Sequence, residues 1–507
     1  MEQFTYDRQV KPKTVPKRIS IFDTTLRDGE QTPGVNYSID DKRRIAEALS
    51  RMGVKYVEAG FPVSSDGAFQ AVKEVAGMGL KCEVVGLARC MEKDIDAAAD
   101  AGVDMVHIFI GTSPMHREYK LEMTKAQVLR KAQESIQYAK DRGCRVHFSP
   151  EDACRTEIEF LKEVCAMADG MGVEHINIPD TVGVMTPQAI AWLIAELRKG
   201  VNIPFAVHCH NDFGQATANT ISAITAGATI PHVTVNGTGE RAGNTSLEQV
   251  VMGCKLIYGI ETGIRTESIW ETSRLVERLS GIKVMPNFPI VGGNAFAHES
   301  GIHVHAILKK AATYEAIRPE MVGTERKIVI GKLIGSAGVK DRLKAMGVKV
   351  SDEQAREITA KVKDLGDKGK KVMEEDLQAI AEDMVGKGSR KERFVELKDM
   401  TLHAEYGDKP TASVALIVKG KEKYAREHGV GPVDATLNAI RAAVGDKDIQ
   451  LDEFHLDAIT GGSNALADVS IRVSKNGRSV MARGVHEDVV MASVIAFING
   501  VNRIMRK

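Results

Sequence analysis

His208 and His210 are the pair of residues whose spacing most directly suggests chemistry. Residues i and i+2 of a strand project from one face, so two such imidazoles can meet one ion at roughly 2.0–2.2 Å. A lone strand histidine is more often a hydrogen-bonded core residue; two in register read as metal ligands. Asp28 would add a carboxylate and Asn244 an amide oxygen, making two nitrogen and two oxygen donors. That mixture suits Mn2+, Zn2+, Co2+ or Mg2+ without choosing among them. Arg27, beside Asp28, would stabilise an oxyanion that the ion also polarises. The competing reading of Arg27 is a salt bridge to Glu151 or Asp152. Thr181 offers its hydroxyl to a substrate carboxylate, or alternatively caps the helix after strand six.

Such residues need a frame that brings them to one mouth. Eight short β-branched runs occur at 18–24, 55–60, 83–87, 105–110, 145–149, 175–179, 205–210 and 232–236. Each ends in a polar or Gly-rich turn and leads into a helical pattern, at the spacing of a βα unit. Eight units predict a (β/α)8 TIM barrel, whose chemistry sits at the carboxyl ends of the strands. The closing residues are polar: Asp23 to Gln31 after strand one, Ser149-Pro150-Glu151-Asp152 after five, Pro179-Asp180-Thr181 after six. Strand seven closes with His208 to Asp212 and strand eight with Asn236 to Asn244. The helix over 38–52 is capped by Ser38 and stopped by Gly53. Residues 237–242 fit a loose GxGxxA dinucleotide pattern, but they follow the eighth strand and carry a charged pair, so a Rossmann site is rejected.

The chain has 507 residues, with 68 Lys+Arg against 68 Asp+Glu, and this balance offers no field to draw nucleic acid or an anionic membrane. No apolar run approaches the ~18 residues of a membrane span, and the N-terminus lacks a signal-like apolar segment. Seven cysteines, all in the first half and none in a CxxC pair, suit a reducing, cytoplasmic setting. After about 266 the pattern becomes helical segments and loops, where Lys368, Lys370 and Lys371 read as solvated surface. From about 391 a tandem pair follows: strand-rich 394–418 before helix 433–444, then strand-rich 450–473 and 479–483 before helix 488–503. Residues 461–465 read as a hairpin turn in preference to an anion nest. The expected organisation is an N-terminal extension (1–17), a TIM-barrel catalytic domain (18–280), helical linker subdomains (281–390) and a C-terminal α+β regulatory domain with a pseudo-twofold repeat (391–507).

Five motifs carry a family resemblance: Asp23-Thr24-Thr25-Leu26-Arg27-Asp28-Gly29-Glu30-Gln31, Glu58-Ala59-Gly60-Phe61-Pro62, His208-Cys209-His210-Asn211-Asp212, Asn236 through Asn244, and His298-Glu299-Ser300-Gly301-Ile302-His303. Together they resemble the 2-isopropylmalate synthase family, which includes citramalate and homocitrate synthases. The resemblance implies a Claisen-type condensation of acetyl-CoA with a 2-oxo acid, followed by thioester hydrolysis. It places the metal ligands on Asp28, His208, His210 and Asn244, the oxyanion cation on Arg27, and substrate binding on Thr181 and Ser149. It places the base for the acetyl methyl proton on His303 with Glu151. Two stretches depart from the family pattern: Val304-His305-Ala306, and Gly331-Lys332-Leu333-Ile334-Gly335. The first expectation is condensation with 2-oxoisovalerate in leucine biosynthesis, with pyruvate and citramalate as the alternative. A weakened amino-acid sensor and an acyl-CoA lyase are further alternatives. The C-terminal module implies a leucine or isoleucine effector and a homodimer.

Overall fold

Each β-branched run forms a strand, and each amphipathic stretch after it packs back over the sheet. The computed structural model describes residues 15–367, 372, 374–385, 394–405, 407–446, 448–458, 467–476 and 478–505, and its elements are counted among these. The chain divides into two units, the first spanning 1–297 and 315–327, the second 298–314 and 328–507.

The first unit holds a closed barrel of eight strands in sequential order. In chain order its elements are β1 (Phe22–Asp23), α1 (Ile39–Met52), β2 (Tyr56–Gly60), α2 (Asp66–Ala76), β3 (Glu83–Arg89), α3 (Glu92–Asp100), β4 (Met105–Gly111) and α4 (Lys125–Asp141). They continue with β5 (Val146–Glu151), α5 (Ile158–Gly170), β6 (His175–Asp180), α6 (Pro187–Leu197), β7 (Phe205–Cys209), α7 (Ala216–Thr225), β8 (Ile230–Val233) and α8 (Leu247–Gly253). The barrel closes where Phe22 partners Tyr56 on one side and His232 on the other, both in parallel register. β1 is shorter than the expected 18–24 because Ile19 donates its N–H to Glu261 and Ser20 to Thr229 instead of to a neighbouring ladder. β8 stops short of 236 because the Thr234 N–H turns to Thr245, and Asn236 takes a left-handed φ of 61°.

Local chemistry explains the helix that follows β1. Ser38 accepts from the Asp41 N–H while the Asp41 carboxylate accepts from Ser38, a reciprocal capping box. Gly53 ends the helix at φ 100°, where a Cβ would lie 2.5 Å from the Gly263 carbonyl oxygen, so only glycine fits. All seven cysteines are free. No helix among the described residues is long and apolar enough to cross a membrane.

The barrel interior is lined by rings where aliphatic layers are usual. Phe22 stacks on His232 at 4.0 Å and on His147 at 4.9 Å, and His147 meets His107 edge-on at 4.6 Å. Tyr56 and His175 extend the column. Burial pushes His147 and His232 well below the ordinary imidazole range and His175 down to about 4, so the column is neutral.

The second unit begins with α9 (Gly301–Lys309), α10 (Ser336–Ala345), α11 (Asp352–Asp367) and α12 (Glu374–Val385), gathered on a small core that includes Val304, Leu343, Ile358 and Leu377. Two β-rich repeats follow. Strands β9 (Val395–His403), β10 (Thr411–Val418) and β11 (Lys421–His428) form an antiparallel sheet before α13 (Pro432–Val444). Strands β12 (Gln450–Ala458), β13 (Ala467–Lys475) and β14 (Arg478–His486) form a second before α14 (Val489–Ile504). The repeats share one core through residues such as Leu416, Ile440, Ile471 and Phe497, as the pseudo-twofold reading requires. Lys368, Lys370, Lys371 and the turn at 461–465 lie outside the described residues.

Candidate active site

At the carboxyl end of β7, His208 and His210 turn the same way, and their Nε2 atoms face each other at 3.2 Å. The Asp28 carboxylate, carried on the turn after β1, places Oδ2 3.1 Å from His208 Nε2. One donor atom from each of Asp28, His208 and His210 lies within 4.8 Å of the other two, and all three residues are buried. Three electron-pair donors so close are poorly served by each other's protons, whereas a single cation satisfies all of them. The alternating pleat points the intervening Cys209 away, where it is buried. Asn244 is tied to His210 by an antiparallel bridge; its Nδ2 donates to the Thr238 carbonyl, while its Oδ1 is buried with no hydrogen-bond partner. Asp28 Oδ1 is likewise buried and unpartnered, so an oxygen of each residue expected to serve a metal beside the two histidines is among the buried polar atoms the protein leaves unsatisfied.

Arg27 does not pair with Glu151 or Asp152, the alternative raised by the sequence. Its Nη1 lies 3.0 Å from Asp28 Oδ2, and its Nε donates to Glu58 Oε2 at 2.5 Å. Glu58 reaches on to His107 Nδ1 at 2.5 Å, His107 Nε2 contacts Ser149 Oγ at 2.6 Å, and Ser149 Oγ accepts from Asn177 Nδ2 at 2.9 Å. Burial alone would push the Asp28 and Glu58 carboxyls up, but the Arg27 charge and the nearby imidazoles hold both below the usual range. Burial and the neighbouring His208 push His210 down to about 3, which leaves one ring nitrogen free to donate an electron pair.

A cavity of about 260 Å3 at this mouth is lined by Arg27, Asp28, Ser149, Glu151, Thr181, His208 and His210 among others, so seven of the nine expected residues converge. Asn244 lines an adjoining cavity of about 410 Å3. Thr181 is not a helix cap: Thr186 caps α6, and Thr181 Oγ1 accepts from the Asp152 N–H, leaving its own proton to donate. The Glu151 carboxylate receives Lys120 Nζ on both oxygens, at 2.7 and 2.8 Å. His303 belongs to the second unit, exposed on α9, with its ring stacked on Tyr314 at 4.0 Å.

The sequence reading assigned no role to Glu58, His107, Asn177 or Lys120. The signal for the first three was present: Glu58 and His107 are lone polar residues within otherwise apolar strands, and Asn177 is flanked by Ile176 and Ile178. Lys120 carried no such mark, because it stands on a short turn between β4 and α4.

Barrel and mouth together define a class, an α/β-barrel enzyme whose polar apparatus is gathered at the carboxyl ends of its strands. Residues 18–276 match the HMGL-like family, 290–370 the homocitrate synthase post-HMGL domain-like family, and 371–505 the LeuA allosteric (dimerisation) domain. The chain is 53% identical over 496 residues to a Methanopyrus kandleri protein named "Probable 2-isopropylmalate synthase", covering 97% of this chain and 99% of that one. It is 50% identical over 497 residues to a 2-isopropylmalate synthase of Methanocaldococcus jannaschii, covering 97% and 96%. A second Methanopyrus kandleri protein, named "Putative (R)-citramalate synthase", is 47% identical over 498 residues, covering 97% of each chain. The chain belongs to the 2-isopropylmalate, citramalate and homocitrate synthase family, and it is an acyltransferase of that family.

Proposed function

We propose that the protein condenses acetyl-CoA with 2-oxoisovalerate (3-methyl-2-oxobutanoate) and hydrolyses the thioester, giving 2-isopropylmalate and CoA for leucine biosynthesis. The observation that carries this reading is the single cavity that unites Arg27, Thr181 and the Asp28–His208–His210 trio beneath apolar walls of Leu87, Phe109 and Pro179. A divalent ion held by Asp28, His208, His210 and Asn244 would polarise the 2-oxo group. Arg27 donates to the oxyanion that develops there, and the Thr181 hydroxyl orients the substrate carboxylate. Deeper in the cavity His107, Ser149 and Asn177 form a chain, and the buried Asn177 Oδ1 left without a partner is an acceptor, which suits a short apolar substrate side chain better than a second carboxylate. Glu151 and His303 handle the proton of the acetyl methyl group: the imidazole takes it, and the carbanion forms the new bond to the 2-oxo carbon. Water then releases CoA.

In this reading residues 18–280 form the catalytic barrel, 281–390 link it and carry His303, and 391–507 dimerise and bind a leucine or isoleucine effector; the order of the family spans supports this, with the dimerisation match beginning earlier, at 371. The free thiols favour a cytoplasmic setting. Pyruvate, giving citramalate, is the second reading, favoured by the 47% identical relative. The pocket difference is a branched methyl or two, worth only ~1–3 kcal/mol. CoA release measured with pyruvate, 2-oxobutanoate, 2-oxoisovalerate and 2-oxoglutarate decides. A clear preference for 2-oxoisovalerate is expected, a preference for pyruvate selects the second reading, and no release with any substrate rejects both.

A further inference from the structure

Lys120 has no part in the roles assigned above, yet it faces the reaction cavity from an unusual turn. Residues His116–Leu121 form a single π-helical turn between β4 and α4, a rare geometry that tends to occur at functional sites. The turn is pinned to the barrel by Arg117, which donates to the Thr112 carbonyl and to both oxygens of Glu157. It sits close over the end of β4, where a Cβ on Gly111 would lie 2.7 Å from His116. The result is to carry Lys120 over the Phe109 ring at 5.8 Å and onto both carboxylate oxygens of Glu151. His116 approaches the same carboxylate at 3.4 Å.

We infer that Lys120 is a positioning residue for the condensation: its ammonium straps both oxygens of Glu151, fixing it as an anion that does not itself receive the acetyl proton. The inference rests on the proposed part of Glu151 in that reaction. A carboxylate strapped in this way is a poor proton acceptor, and its direction is set before any substrate arrives. The direction of its titration agrees, since Lys120 and His116 outweigh burial and hold the carboxyl below its ordinary range. Proton transfer then falls to a different group, the imidazole named in the proposed reaction.

Two measurements on the full chain test this. The first needs no substrate: limited acylation with acetic anhydride, followed by peptide mass mapping, reads how far Glu151 shields the Lys120 amine. Lys120 should be labelled several-fold faster in Glu151→Gln than in the unaltered protein, with other lysines unchanged; equal labelling overturns the pair. The second is the pH profile of CoA release. Loss of the strap in Lys120→Met should move the acidic limb of kcat/KM upward by about one pH unit or more, the size of effect a single adjacent charge exerts. Lys120→Arg should restore it. A Lys120→Met limb that does not move overturns the positioning role, whereas an unaltered protein inactive with every 2-oxo acid rejects the proposed reaction and leaves the labelling result to decide the pair.

Discussion

The Arg27 guanidinium and the Glu58 carboxylate meet at 2.5 Å, joining the turn after β1 to the middle of β2 below the reaction cavity. Arg27 is thereby aimed from behind: one edge is held by Glu58, while Nη1 faces Asp28. Removing the charge in Glu58→Gln would leave a largely enclosed guanidinium with one anion where it had two. Loss of one partner of a buried pair costs about 3–5 kcal/mol. We expect a fall of that order in urea-unfolding stability and a loss of kcat/KM for the 2-oxo acid. Unchanged stability and kinetics would show that Glu58 does not orient Arg27.

His210→Ala should abolish both bound metal and turnover. Elemental analysis of the purified protein reads the first directly, and CoA release the second. A variant that keeps a full complement of metal would remove His210 from the ligand set. Chelation of the unaltered protein should reproduce the loss of turnover, and Mn2+ or Zn2+ should reverse it.

The ring column inside the barrel sets the acid sensitivity of the fold. His147 is neutral in the folded state because burial pushes it well below its ordinary value, while in the unfolded chain it titrates near 6.5. As pH falls below about 6.5, the unfolded state takes up a proton that the folded state refuses, so stability falls. Each such histidine contributes a slope of about 1.4 kcal/mol per pH unit until its folded value is reached. His175, pushed down to about 4, adds to the same window. His147→Phe should flatten the slope by one proton, read from urea midpoints between pH 5 and 7. A slope identical to the unaltered protein's would mean that His147 is already charged when folded.

Deletion of the residues after about Lys391 should abolish inhibition by leucine while some CoA release remains. If neither leucine nor isoleucine changes the activity or the melting temperature of the full chain, the effector assignment fails.

The barrel was legible because strand and helix periodicities alternate eight times, and because residues that close strands are polar when they do chemistry. His208 and His210 were visible by their spacing alone. Asp28 and Asn244 could be added because they stand at strand ends of the same frame. What could not be read was direction within the interior. Arg27 has carboxylates within reach on three strands, and nothing in the order of residues says that Glu58 wins while Lys120 takes Glu151. The termini of β1 and β8 were overestimated for a related reason: Ile19, Ser20 and Thr234 send their N–H groups to distant carbonyls, and long-range hydrogen bonds leave no local trace. Thr181 and Thr186 illustrate the same limit, since either can cap a helix until the chain path selects one.

The paired β-rich repeats enclose an apolar core built only from residues after 393. A module that keeps its greasy interior to itself is portable. Recombination at its upstream edge can graft it onto another body, or strip it away, without opening its own core. Its two halves, each three strands and a helix, also have the outline of one ancestral segment copied in tandem. If the proposed effector binds there, feedback control and catalysis are written on separable stretches of chain, and selection can retune the one without disturbing the other.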